Sequence, residues 1–600
     1  MTIQKQQLID WFHRWVHCLP NGALGMVLFF VVMQVAGRNL SGLAIAMMFV
    51  AVGLPAARIS WKTCCGYYAT LMGCACLGIM AGMNYVSCLV VNALAIFFIT
   101  YAHGDEFLMR NHFLYGFVFL IAQTYHGLGW VYIPKCILAC VLCFCVMSLF
   151  IVWRRRGMQV QSGTSMVEKA CGLLAQHLRE FHVSEQEREF HTYLYGYCRN
   201  IYGDVAKQFG KMNQGQIWQY HMLLFLEQLN HLLAEDIAAS HGGADTNHEY
   251  HQHLAQVLET CLQQEEQQRW QYLRCELQKL VQTHHMDTRF ADHQWRVTLS
   301  HLVKVLERAE ERDSRRVSLC DGLYWKWRMM RMNFTTRSSV FRFAIKASVL
   351  TTLCFAVSYE MSFSRSVWLP MTVFCMLMVF HQDEQNSATA RLMGTMMGTV
   401  VYVAFTEFLP GSYSVRMMVT MFLCFSLLFT FKDLTVTTLI ATQMSVGSLA
   451  DMGIGQALTA RFMVVLVAAL VVFMGGQLIF CTERRDAIVS HRNNIFYHYW
   501  LLVGQMEDLL EDRLRHDLSN ELMLNINMYA SELDALAQHA TEEQQHVLAQ
   551  EILPLCHIFR VELLHLFLMR TWKQTSRMGR EYFADEMEAM KQQLQQYLVA

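Results

Sequence analysis

Between Gly22 and Val152 the chain carries only seven formal charges: Arg38, Arg58, Lys62, Asp105, Glu106, Arg110 and Lys135. A similar texture returns between Phe341 and Cys481, with somewhat more charge in its loops. A soluble fold cannot hide that much continuous apolar surface, and a helix needs roughly 20 apolar residues to cross the hydrocarbon core of a bilayer. Two separate charge-poor blocks of similar length therefore read as two bundles of membrane-spanning helices. The segments 157–338 and 483–600 are instead rich in Glu, Gln, Arg, Lys and His. The 600-residue chain is 16% charged, against roughly 25% in soluble proteins, and the deficit sits in the two blocks.

Polar and glycine-containing breaks divide the first block into spans near 22–37, 40–57, 63–82, 85–102, 112–127 and 132–152. The second divides into 341–359, 366–380, 393–409, 415–431, 434–449 and 460–481, so twelve spans are expected. Ahead of them, Trp11, Phe12, Trp15 and Val16 stand beside His13, Arg14 and His17. That mixture predicts a short amphipathic helix on the membrane surface, ending at Pro20. Cationic residues favour the cytoplasmic side of a membrane. With the N-terminus inside, that side collects Arg14, Arg58, Lys62, Arg110 and Arg154–Arg156, then Arg342, Lys346, Arg391, Lys432, Arg484 and Arg485. Arg38, Lys135, Arg365 and Arg416 fall outside, and Arg461 sits near an outer helix end.

The expected architecture is an all-α integral membrane protein: two six-span helical bundles in a parallel pseudo-repeat, each followed by a cytoplasmic helical domain. The expected boundaries are an interfacial helix at 1–21, membrane blocks at 22–153 and 339–482, and helical domains at 154–338 and 483–600. Two halves pointing the same way imply a pseudo-twofold axis along the membrane normal. Both termini are then cytoplasmic.

The polar segments read as helical bundles. No proline occurs between 157 and 338, and amphipathic runs recur at Trp218–Leu233, His251–Leu280 and Trp295–Leu306. The style returns at His498–Leu514, Glu521–Ala537 and Glu543–Met569. Cys136, Cys140 and Cys143 share one helix face, which reads as packing by small residues and not as a metal or redox site. His241, His248, His251 and His253 read as a solvated helix surface, since a zinc site adds ligands at tighter spacing. His284–His285 read the same way. A net charge of −1 argues against nucleic acid as a partner. No phosphate-binding loop or nucleophile–base pair stands out, so neither an enzyme nor a cofactor or metal is expected.

The sharpest stretch runs from Trp368 to Gly398: WLPMTVFCMLMVFHQDEQNSATARLMGTMMG. An apolar span ends at Phe380 and a polar loop, His381–Asn386, follows. Arg391 then sits at a helix start, where it can attract an anion. Gly394 and Gly398 form a GxxxG spacing, which lets two membrane helices touch backbone to backbone. Thr395 can line a path. Arg58, Arg391 and Arg461 could offer charge to a carboxylate, and His381, Asp383, Glu384 and Asp451 could exchange protons. The alternative reading keeps the arginines as orientation anchors and the acids as loop solvation.

This stretch resembles the fusaric-acid-resistance and aromatic-acid-exporter superfamily. Members show a Trp, an apolar span, a polar turn and then R-x-x-G-T-x-x-G, here Trp368 and Arg391 to Gly398. The doubled layout is similar to an uncharacterised two-block branch of bacterial inner-membrane proteins. The last span departs from the family's R-x-x-D-T-x-x-G: the run Arg461 to Val467 has neither the Asp nor the Gly. In the first half, Pro55 to Arg58 followed by Gly66 and Gly73 is a faint echo of the Arg391 motif.

The resemblance implies a multi-pass protein of the bacterial inner membrane that exports small organic carboxylates, aromatic ones included, driven by a proton gradient. It also implies a periplasmic adaptor protein as a partner. The helical regions favour a homo-oligomer, with a dimer first. Two other readings stay open: a passive anion channel, since plant malate channels have a related six-span layout, and a membrane scaffold whose cytoplasmic helices bind a partner.

Overall fold

The computed structural model describes residues 2–53 except 38, 39 and 41, then 61–104, 111–123, 130–157, 164–180, 193–203 and 214–239. It continues with 248–307 except 266, 267 and 284–289, and with 327–360 except 328, 329, 332, 333 and 337. The remainder comprises 368–408, 413–427, 434–448, 454–510 except 483, 516–538 and 585–595 except 586. Among these residues every regular element is a helix. The chain forms two compact units: Met1–Gln159 with Trp327–Arg484, and Val160–Lys326 with Arg485–Ala600.

In the first unit, the chain before residue 160 forms α1 (Thr2–Ala36), α2 (Gly42–Gly53), α3 (Trp61–Ala81), α4 (Tyr85–His103), α5 (Asn111–Ile121) and α6 (Tyr132–Gly157). The later stretch forms α7 (Ser339–Glu360), α8 (Trp368–Met376), α9 (His381–Phe408), α10 (Tyr413–Leu427), α11 (Leu434–Ser448) and α12 (Ile454–Leu478). Among the described residues six helices are long and apolar enough to cross a membrane, within α1, α3, α4, α6, α7 and α12. Shorter apolar stretches lie in α2, α5 and α10. The other positions expected to span differ in kind. α8 has 9 residues, about 14 Å at a rise of roughly 1.5 Å per residue. α9 opens on charged turns, and α11 is short and threonine-rich.

The outer surface of this unit is apolar, unlike that of a soluble bundle, and several polar side chains lie inside. On α4, Val86, Val90, Leu94 and Phe98 stand exposed at intervals of one turn, while Cys88, Asn92 and Thr100 are buried. On α12, Met463, Val467, Leu470 and Met474 are exposed in the same way. Apolar outside and polar inside is the arrangement that lipid rewards and water penalises.

Local chemistry sets several helix ends. Asn84 caps α4 by accepting from the Ser87 backbone N–H at 2.8 Å, and Ser87 Oγ accepts from the Asn84 N–H at 3.2 Å. α1 stops at Gly37, whose φ of 75° belongs to the left-handed region that glycine tolerates. The helix expected to end at Pro20 does not end there: α1 runs through Pro20 without a break. A proline removes one backbone donor and strains one turn, and the continuous helix on both sides outweighs that loss.

Packing crosses between the two stretches of the unit. α1 lies against α10, and α4 lies against α7. At the first contact, a side chain on Gly22 would overlap Ser426, and one on Gly25 would press into Phe425. At the second, Ser348 Oγ donates to the Ala93 carbonyl at 2.6 Å, and Tyr85 meets Tyr359 at 5.2 Å between ring centres. Asn92 and Gln123 exchange reciprocal amide hydrogen bonds, both 2.9 Å, with neither side chain exposed. Cys136, Cys140 and Cys143 are fully buried free thiols.

The second unit is built of polar-faced helices: Thr164–Glu180, 193–203, Gln214–Ala239, His248–Gln263, Arg269–Thr283, Phe290–Glu307, Arg484–Leu510 and His516–Gln538, with a short helical stretch in 585–595. The run expected as one helix over His251–Leu280 breaks at Gln264 and Glu265. Tyr197, Tyr220, Trp295 and Tyr499 fill the interior. Its two chain segments are tied by polar contacts. Asn527 Nδ2 donates to Tyr220 Oη at 2.8 Å, His221 Nε2 lies 2.9 Å from Asn520 Oδ1, and Arg199 pairs with Glu532.

His251 corrects the reading of a solvated histidine surface. It is fully buried, with Nε2 3.3 Å from Asp236 Oδ2, and Trp295 Nε1 donates to the same oxygen at 3.0 Å. The apolar stripe of its helix carries it inward beside Tyr250 and Leu254. His253, two residues on, is exposed as expected; His241 and the His284–His285 pair lie outside the described residues. Among the described residues no group of three or more metal-ligating side chains is found. Burial lowers the pKa of His491 and of His498 below the ordinary histidine value.

Candidate functional site

The site begins with the short helix α8. Residues 377–380 leave the helical path before α9 begins, so the last carbonyls of α8 are free to accept from side chains. The Cys375 carbonyl accepts from Arg391 Nη2 at 3.1 Å. One turn earlier, Thr372 Oγ1 donates to the Trp368 carbonyl at 2.6 Å and accepts from Arg461 Nη1 at 3.4 Å. The Arg461 guanidinium lies over the Trp368 ring, 5.2 Å from its centre. Thr372 and Cys375 are three residues apart and so are neighbours on the helix surface. Two arginines from different helices, α9 and α12, thereby converge on one side of α8.

Arg461 is 6% exposed and, among the described residues, has no carboxylate partner. Among the described residues its Nε is buried without a hydrogen-bond partner, as is the indole N–H of Trp368. An orientation anchor reaches for the aqueous interface; Arg461 instead packs into the bundle. It lies seven residues from the start of α12, and its burial among neighbouring helices is what the sequence does not show.

The expectation for residues 381–386 is corrected. They form the first turns of α9, not a loop. The backbone N–H groups of Asp383 and Glu384 both donate to the Phe380 carbonyl at 3.1 Å, and acidic side chains suit the positive end of a helix dipole. Arg391 is consequently not at a helix start. It lies ten residues beyond His381, about 15 Å along the axis.

Glu384 turns inward at the base of α9. Its Oε1 lies 2.7 Å from Lys346 Nζ of α7, with both side chains 1% exposed, and accepts from the Met378 N–H at 3.3 Å. Its Oε2 lies 3.5 Å from His381 Nδ1. The His381 backbone N–H donates to the Thr482 carbonyl at 3.1 Å. α12 can approach because residue 476 is glycine; a Cβ there would collide with the Glu384 carboxylate. Lys346 was read from the sequence as an orienting charge at the membrane edge. It lies seven residues into α7 and is buried, and that depth within an apolar helix was the available signal.

Glu384, Arg391 and Thr395 are spaced by seven and four residues, so they share one face of α9. Thr395 is fully buried, and among the described residues its hydroxyl has no hydrogen-bond partner. Gly394 and Gly398 face α11: a side chain on Gly394 would overlap the Thr435 carbonyl, and one on Gly398 would come within 2.9 Å of Thr442. Gln443 Nε2 donates to the Gly398 carbonyl there. Asp383 is half-buried in the first turn of α9. Arg58 and Asp451 lie outside the described residues.

Residues 353–475 match the family model described as fusaric acid resistance protein-like. That segment contains His381, Glu384, Arg391, Thr395, Trp368 and Arg461, and it begins just after Lys346. No curated protein and no solved structure matches the chain. Over residues 353–475, the segment that carries the arginine pair, the chain is similar to the fusaric acid resistance-like family of proteins.

Proposed function

We propose that the protein is a permease of the bacterial inner membrane for small organic carboxylates, and that Arg391 and Arg461 form its anion site. The observation that carries this reading is the convergence of the two guanidinium groups on one side of α8, with Arg461 buried and, among the described residues, without a carboxylate beside it. An unbalanced buried cation is costly inside a membrane bundle and usually functional. A bound carboxylate supplies the missing charge, and the unpartnered Trp368 N–H and Thr395 hydroxyl are further donors for it. The family match supports a role in membrane transport in general. A membrane potential negative inside favours outward movement of an anion by about 2.3 kcal/mol per charge for each 100 mV.

The parallel pseudo-repeat is part of the proposal. It is supported by reciprocal packing: the first helix of each half, α1 and α7, lies against the fourth of the other, α10 and α4.

The test is flux of labelled benzoate from proteoliposomes. The unaltered protein is expected to release it saturably, and Arg391→Ala and Arg461→Ala to lose most of that flux. Equal flux in all three, or none above empty liposomes, defeats the reading. Unitary currents in place of slow saturable flux would make the protein a channel.

A further inference from the structure

We propose that Glu384 is a proton-binding group whose protonation tightens the anion site at Arg391 and Arg461; this rests on the anion-site reading above. Glu384 and Arg391 lie seven residues apart on one face of α9, about 10 Å along its axis. Ionised, Glu384 balances Lys346 at 2.7 Å and the pair is neutral. When a proton adds to the carboxylate, the pair loses its negative member and Lys346 is left as a net positive charge. That charge sits two turns from the site that receives the anion.

The surroundings leave few other groups for this role. α7 carries Arg342, Lys346 and Glu360. Arg342 Nε donates to the Thr336 carbonyl at 2.5 Å, Glu360 stands exposed at the far end of α7, and of these three only Lys346 is in contact with Glu384 among the described residues. α8 and α11 carry no charged residue. The one charge on α12 is Arg461, which is engaged at Trp368 and Thr372. On α9 itself, His381 is the titratable group in contact, at 3.5 Å.

Proton and anion therefore bind cooperatively, and by linkage each raises the affinity for the other. The sign follows from charge: anion affinity rises as pH falls through the titration of Glu384. A unit charge about 10 Å away in an effective dielectric near 20 changes anion affinity by roughly tenfold. The consequence suits weak organic acids, which cross membranes undissociated and then release a proton and an anion together. A site that answers to both loads when the cytoplasm receives both.

The experiment is calorimetric titration of the full-length protein in detergent with benzenesulfonate, which stays ionised, from about pH 8 down to about pH 5. The unaltered protein is expected to bind roughly tenfold more tightly at the acid end. Glu384→Gln is expected to bind tightly at every pH. Lys346→Met combined with Glu384→Gln, which removes both charges and guards against misfolding of the single variant, is expected to bind weakly at every pH. His381→Gln is expected to keep the pH response. Infrared difference spectra over the same range are expected to show a carboxyl band that Glu384→Gln lacks. Binding that ignores pH, or a pH response that survives Glu384→Gln, overturns this proposal alone. No binding at any pH overturns the anion-site reading and this proposal with it.

Discussion

Lys346 Nζ and Glu384 Oε1 stand 2.7 Å apart, each side chain 1% exposed, joining α7 to the base of α9. Removing one member of such a pair strands the other, at about 3–5 kcal/mol. Lys346→Ala is therefore expected to lower thermal stability sharply in detergent. Lys346→Met with Glu384→Gln is expected to recover most of the loss. A double-mutant cycle followed by thermal unfolding checks this; additive losses would mean that the two groups do not interact.

Arg461 is expected to tolerate no substitution at the anion site. Arg461→Ala should weaken binding of benzenesulfonate by about tenfold to a hundredfold, the worth of a hydrogen bond to a charged group. Arg461→Lys should restore little, because an ammonium lacks the planar fork that reaches Thr372 while lying over Trp368. Trp368→Leu should cost less, about 0.5–2 kcal/mol. Calorimetry on the four proteins ranks them.

The Asn92–Gln123 pair gives a test of polar burial. Asn92→Leu or Gln123→Leu alone leaves a buried amide unsatisfied and should cost about 1–3 kcal/mol. The double substitution should be close to neutral, since neither orphan remains. Unfolding midpoints of the three variants decide it.

Gly398→Val should separate α9 from α11, because the new side chain meets Thr442 and the Leu439 carbonyl. Gly73→Ala is the control: nothing lies within 4 Å of the added carbon. Lower stability for the first and unchanged stability for the second are expected from melting curves.

Acid should loosen the helix Arg484–Leu510. Burial holds His491 and His498 below the ordinary histidine pKa, so the unfolded chain binds more protons there. Stability from these residues is complete above about pH 6.5, the unfolded value, and declines as pH falls below it. Hydrogen exchange in this helix, corrected for the intrinsic pH dependence of exchange, should rise between about pH 7 and pH 5. His491→Gln with His498→Gln should flatten the rise.

The order of residues alone shows that the chain meets lipid, because only a membrane accommodates the charge-poor run from Gly22 to Val152 and its counterpart from Phe341 to Cys481. It also determined the close approach at Gly394 and Gly398, since small residues one turn apart leave room for a partner helix. Depth and partnership were decided by the tertiary structure. Lys346 and Arg461 read as exposed anchoring charges because a linear string does not say which neighbours a helix face packs against, and both are buried. α9 starts at His381, earlier than its hydropathy implies, because packing against α7 and α12 shelters charges that a lone helix would expose. Arg391 and Arg461, 70 residues apart in sequence, meet only because α8 is short enough to offer both of them one side.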